Sequence, residues 1–133
     1  MPDLRVVPRS SGPARYELPD IDAAALVAAR AIDRLLADAE RQVEAASMPS
    51  SSREPDPVRL AATERWAGYF RRLPDQLRDD PLPQLRLAAR RARAAYGPKD
   101  SIRDVFDATV TEPLLDAIDR LLKAIARYEA HRD

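Results

Sequence analysis

Between residues 20 and 46 the chain reads DIDAAALVAARAIDRLLADAERQVEAA, and its apolar residues recur every three or four positions. Ile21, Ala25, Ala28, Ile32, Leu35, Ala39, Val43 and Ala46 fall within about an 80° arc at 100° per residue. Asp22, Arg30, Asp33, Arg34, Glu40, Arg41 and Glu44 fall on the other side. A strand cannot hold that pattern, because its side chains alternate faces every residue. The stretch therefore predicts an amphipathic helix of about 26 residues, roughly 39 Å long, which must hide its apolar stripe against other elements. Asp20 is placed to cap it.

The rest of the chain repeats the pattern in shorter pieces. SMPSSSREPDP, from residue 47, ends the first helix and reads as a flexible connector. A second helix fits residues 57 to 73, with Pro57 in its first turn. Its inner row is Val58, Ala62, Trp66, Tyr69, Phe70 and Leu73, and Trp66, Tyr69 and Phe70 form the heaviest apolar cluster. LPDQLRDDPLP bends the chain, with room for one helical turn between prolines. A third helix fits residues 83 to 96. Leu85, Ala88, Ala89, Ala92, Ala95 and Tyr96 share its inner side, and Arg86, Arg90 and Arg93 share the outer one. Gly97 and Pro98 stop it, and Ser101 with Asp104 makes a capping-box-like start to a last helix over about 102 to 131. Val105, Phe106, Leu114, Ile118, Leu121, Leu122, Ile125 and Tyr128 form its inner stripe. Pro113 either kinks that helix or opens a restart capped by Thr111.

No segment alternates as a strand does. The expected fold is an all-α up-down bundle of about four helices, two long and two shorter. It occupies residues 20–133 as one domain, behind an extended, partly disordered segment at 1–19 that holds four prolines. The hexapeptide AIDRLL occurs at 31–36 and again at 117–122. Two amphipathic helices that use the same six residues account for it without a duplication.

Much chemistry is excluded. The 133 residues contain no cysteine, which removes disulfides, thiolate catalysis and cysteine-based zinc sites. The single histidine, His131, lies two residues from the end, a poor place for a base or a metal ligand. Gly97 alone cannot cradle a phosphate, since such loops need several glycines. No apolar run approaches the roughly 18 residues of a membrane span, and the N-terminus lacks the apolar stretch of a signal peptide. A soluble cytoplasmic protein is the expectation. Basic residues are nearly all Arg, with only Lys99 and Lys123. With the abundant alanine, this points to a GC-rich bacterial genome.

Charge is unevenly placed although the formal net charge is zero. Residues 20–56 carry 4 basic and 8 acidic groups, residues 59–103 carry 11 and 5, and residues 104–133 carry 4 and 7. The basic middle suggests an Arg-rich face, built from Arg59, Arg72, Arg86, Arg90, Arg91 and Arg93, that pairs with carboxylates of an acidic protein partner. No aromatics are interleaved for base stacking, so a nucleic-acid-associated protein is the second reading. A metal-dependent nucleotide hydrolase is the third. It would use the acids of the last helix, Asp104, Asp107, Glu112, Asp116 and Asp119. Hard cations want several oxygens, but ones that converge from different helices, whereas these lie along one element. The expectation is a non-enzymatic helical protein-binding module, adaptor or immunity-like, with no catalytic residue, cofactor or metal. Homodimerisation is open to it, because Leu26, Val27 and Leu87 lie outside the main stripes.

Over residues 60 to 107, RWAGYF followed by AAYGPKDSIRDVF resembles a family of small bacterial all-helical domains whose role is uncharacterised. In that family a Trp-Ala pair precedes Tyr-Gly-Gly-x-Gly-Ser-Phe-x-Asp by some thirty residues. Trp66, Ala67, Tyr96, Gly97, Ser101 and Asp104 match it, while Pro98, Asp100 and Ile102 stand where it has Gly, Gly and Phe. The resemblance implies that Gly97, Ser101 and Asp104 shape the corner and do no chemistry.

Overall fold

A computed structural model describes residues 14–47, 56–98 and 101–131. The expected lead-in over 1–13, most of the connector, and Lys99 and Asp100 of the corner lie outside the described residues. Five α-helices form an all-α bundle with no strand among the described residues: α1 Pro19–Ala46, α2 Pro57–Phe70, α3 Leu73–Asp79, α4 Leu82–Ala94 and α5 Ala108–Ala130. The long helix α1 packs against α5, α3 and α2, and α4 closes the bundle against α5 and α3. No helix among the described residues is long and apolar enough to cross a membrane.

The first helix follows its stripe. Ile21, Ala25, Ala28, Ala29, Ile32, Leu35 and Ala39 are buried. It begins one residue before the expected cap: Pro19 takes the first position, and Asp20 and Asp22 sit in the first turn, where acidic groups suit the positive end of the helix. Order also begins earlier than an extended segment to residue 19 would allow. Arg15–Glu17 form a 3-10 turn, and Leu18 is buried.

The second helix differs in its buried row. Val58 is 77% exposed, and the line facing α1 is Thr63, Ala67 and Phe70. Small Thr63 and Ala67 let α2 approach the alanine-rich side of α1, which moves Trp66 and Tyr69 to the flank, where they are half-buried. Thr63 meets its polar need there: its hydroxyl lies 3.0 Å from the Gln42 side-chain oxygen and 3.0 Å from the Arg59 carbonyl. Asp56 caps the helix, accepting from the amides of Val58 at 3.0 Å and Arg59 at 3.3 Å.

The helix expected to reach residue 73 stops at Phe70, and Leu73–Asp79 form a separate helix, longer than the single turn read between the prolines. Its Leu73, Pro74 and Leu77 are buried, so this short segment is part of the core. The third expected helix is α4, with Leu85, Ala88, Ala89 and Ala92 buried as its period requires.

At the corner, Ser101 Oγ accepts from the Arg103 amide at 3.1 Å and Asp104 accepts from the Ser101 amide at 3.2 Å, the reciprocal pair read from the sequence. It caps only one 3-10 turn, Ile102–Asp104. The last helix starts later, with Asp107 as its cap in place of Thr111, and Asp107 accepts from the Thr109 amide at 2.9 Å. Pro113 lies inside α5, in the second turn, where its missing N–H costs one helical hydrogen bond. The two AIDRLL segments lie on α1 and α5, which pack against each other, and Ile32, Leu35, Ile118 and Leu121 are all buried.

Candidate functional site

The six arginines of the expected basic face meet different surroundings. Arg59 reaches from α2 to the corner and donates to the Val105 carbonyl at 3.0 Å. Arg86 is half-buried and paired with Glu129 of α5, and its Nε is buried without a partner. Arg93 donates through Nε to Asp119 at 3.0 Å, also on α5. These three tie elements of the bundle together. Arg91 lies over the Tyr69 ring at 4.5 Å, while the Tyr69 hydroxyl donates to the Arg91 carbonyl at 2.6 Å. Arg72 and Arg90 are exposed and pair with no acid among the described residues.

Arg72 and Arg91 line one cavity of about 410 Å³ together with Tyr69, Arg71 and Gln76. It sits where α2 turns into α3 and the end of α4 comes alongside. Three guanidinium groups, one phenol ring and one amide converge, and none of the lining side chains is acidic. Arg71, exposed and without an acidic partner among the described residues, was not singled out from the sequence. The reading that carried the second helix through residue 73 put Arg71 inside a helix instead of at a turn. The doublet Arg71-Arg72 directly before Leu-Pro was the signal that could have found it. Tyr69 is held in place by edge contacts with Trp66, 5.2 Å between centroids, and Phe70, 5.3 Å. The aromatic cluster thus supports the basic cavity from behind.

Arg71 also lines a second, larger groove of about 790 Å³ between α1 and α2. Its floor is apolar, with Leu36, Ala39, Val43 and Ala67. Glu40, Glu44 and Glu64 line it too, and all three are exposed. A basic cavity and an acidic groove therefore adjoin at one residue.

The acids of the last helix and corner are engaged one by one. Asp104 and Asp107 cap turns. Arg103 grips Glu112 with two hydrogen bonds of 2.9 Å, Asp119 meets Arg93, and Asp116 meets Arg120 at 3.1 Å. The Arg103 guanidinium, then the Thr111 hydroxyl, hold the Glu112 carboxyl below the usual carboxylate range. The Thr109 hydroxyl and amide do the same for Asp107. Among the described residues no group of three or more Asp, Glu or His side chains is placed to hold a metal ion. His131 sits at the end of α5 with Nδ1 against the Arg127 carbonyl at 2.7 Å.

The remaining corner residues act on shape. The Tyr96 hydroxyl donates to the Thr111 carbonyl, and its ring lies 5.3 Å from the Arg103 guanidinium and 5.9 Å from that of Arg93. Burial, above all, pushes the Tyr96 phenol well above its ordinary value, with Glu112 adding to the effect. Gly97, the residue expected to end the third helix, lies just past α4, and the corner is closed by the Ile102 amide donating to the Ala95 carbonyl at 3.1 Å.

Comparison of the chain with protein-family models, with curated proteins and with solved structures gives no match.

Proposed function

We propose that the protein is a non-enzymatic helical binding module, adaptor or immunity-like, of the bacterial cytoplasm, and that it recognises an acidic protein surface. The recognition residues are Arg71, Arg72 and Arg91, set around Tyr69 at the α2–α3 turn, together with the exposed Arg90 next to Arg91 on α4. Arg59, Arg86 and Arg93 of the broader basic face hold the bundle together behind them. The single observation that supports this reading is the cavity of about 410 Å³ in which three arginines converge with no acid on its lining. A guanidinium fork binds a carboxylate at two points, and an aromatic surface beside it excludes water from the pair. Arg91, stacked on Tyr69, is already ordered, so less freedom is lost when it binds.

Fluorescence anisotropy with a labelled glutamate-rich peptide tests the reading. Wild type should bind, with an affinity that falls as salt is raised. The double variant Arg72→Glu, Arg90→Glu should bind at least about tenfold more weakly, a change of about 1.4 kcal/mol. Its melting temperature should stay unchanged, because neither side chain is tied into the bundle. Equal binding by wild type and variant removes the reading. Tighter binding of a single-stranded oligonucleotide than of the peptide moves it to a nucleic-acid partner.

A further inference from the structure

We infer that the acidic surface this module takes is a second copy of its own chain, docked about a two-fold axis beside Arg71. The inference rests on the proposed basic recognition surface and names its occupant. A two-fold contact uses the same patch on both partners, so the patch must be complementary to itself. Two adjoining regions of opposite charge meet that condition. On this molecule the basic cavity holding Arg72 and Arg91 and the acidic groove holding Glu40, Glu44 and Glu64 share Arg71 as a common wall. Rotation by half a turn about that wall sets the arginines of each copy against the glutamates of the other.

Three further observations favour a second copy as the occupant. The formal net charge is zero, so two chains approach with no overall repulsion to overcome. The groove also has an apolar floor, including the half-buried Leu36 and Val43, which an ion pair alone would leave wet. On α4, Leu87 is 64% exposed and lies one turn before Arg90 and Arg91, on the same outward side. An arginine pair that carries an exposed leucine fits a groove that has acidic walls and an apolar floor. Because exposed ion pairs are individually weak, the dimer belongs to the range of about 10–500 μM and is sensitive to salt.

Sedimentation velocity on the full chain, run up to about 1 mM protein at about 20 mM and again at about 500 mM salt, tests this. Wild type should dimerise, with Kd at least about tenfold higher in the high salt. Two charge-swapped chains decide the pairing: Glu40→Arg with Glu44→Arg, and Arg72→Glu with Arg90→Glu. Each alone should be monomeric, since both halves of its two-fold contact become like-charged. Mixed in equal amounts they should form a heterodimer, because both halves are then complementary again. That rescue also shows that both variants are folded. A wild type that is monomeric at the top concentration in low salt, or a mixture that stays monomeric, overturns the inference. Anisotropy with the glutamate-rich peptide on the same wild-type samples separates the two failures. A monomer that still binds the peptide sinks only the self-pairing, and a monomer that does not bind it sinks the recognition surface as well.

Discussion

Tyr96 shows how one side chain can be assigned to the core from its spacing and still carry an unforeseen property. Its burial was legible from the period, although it lies two residues past the end of α4, and it is 8% exposed. Its hydroxyl bond to Thr111 and its contact with the Arg103 guanidinium were not, because those partners lie beyond the corner, outside the reach of a helical period. Burial raises its folded pKa above the ordinary value near 10. Above about pH 10 the unfolded chain releases this proton while the folded chain keeps it, so the stability tied to Tyr96 is lost as pH rises. Tyr96→Phe should therefore be less stable than wild type by about 1 kcal/mol at neutral pH, the worth of one hydrogen bond. The gap should narrow above about pH 10, where the phenylalanine has no proton to hold. Urea unfolding of both proteins at about pH 8 and about pH 11 measures this, and a gap that stays constant would refute the burial argument. Arg86 teaches the same lesson on the surface: the period puts it outside, and only the fold shows Glu129 waiting beside it.

Among the elements, α3 is the one that the sequence described least well. Three prolines, Pro74, Pro81 and Pro83, suggest a broken chain, yet Leu73–Asp79 is helical and its leucines are buried. The prolines act at its edges. Pro81 cannot donate to the Leu77 carbonyl four residues back, so the end of α3 needs a donor from elsewhere. Arg15 supplies it, giving 2.8 Å bonds to the carbonyls of Leu77 and Asp80 and a 2.8 Å ion pair to Asp22. These bonds join residues more than sixty positions apart, which no local pattern reveals. Arg15→Ala should cost about 2 kcal/mol, because charged hydrogen bonds to carbonyls with no other donor are lost. It should also speed amide exchange in α3 more than in α1. Uniform exchange across both helices would mean that Arg15 does not act as the end cap of α3. The late start of α5 has a similar origin: only Thr111 read as the cap of a restart, and the corner geometry placed Asp107 there instead.

For the molecule as a whole, α1 is the common wall against which α2, α3 and α5 all pack. Loss of its packing should therefore be felt everywhere at once. Leu35 is fully buried, and Leu35→Ala should cost about 2–5 kcal/mol. Unfolding followed by far-UV circular dichroism and by the fluorescence of Trp66, which reports on α2, should give coincident curves in both proteins. Separate midpoints would show that α2 comes away from the bundle on its own. By itself the sequence determined the all-helical class, the bounds of α1, α2 and α4 to within a few residues, and which faces of α1, α4 and α5 turn inward. Those follow from periodicity and end signals, which are local. It also set the supply of arginines and acids. The tertiary structure alone decided which of those charges are spent on each other and which face outward around Tyr69. That division depends on distances between helices, and side chains remote in sequence become neighbours only when α1 gathers the other helices around it.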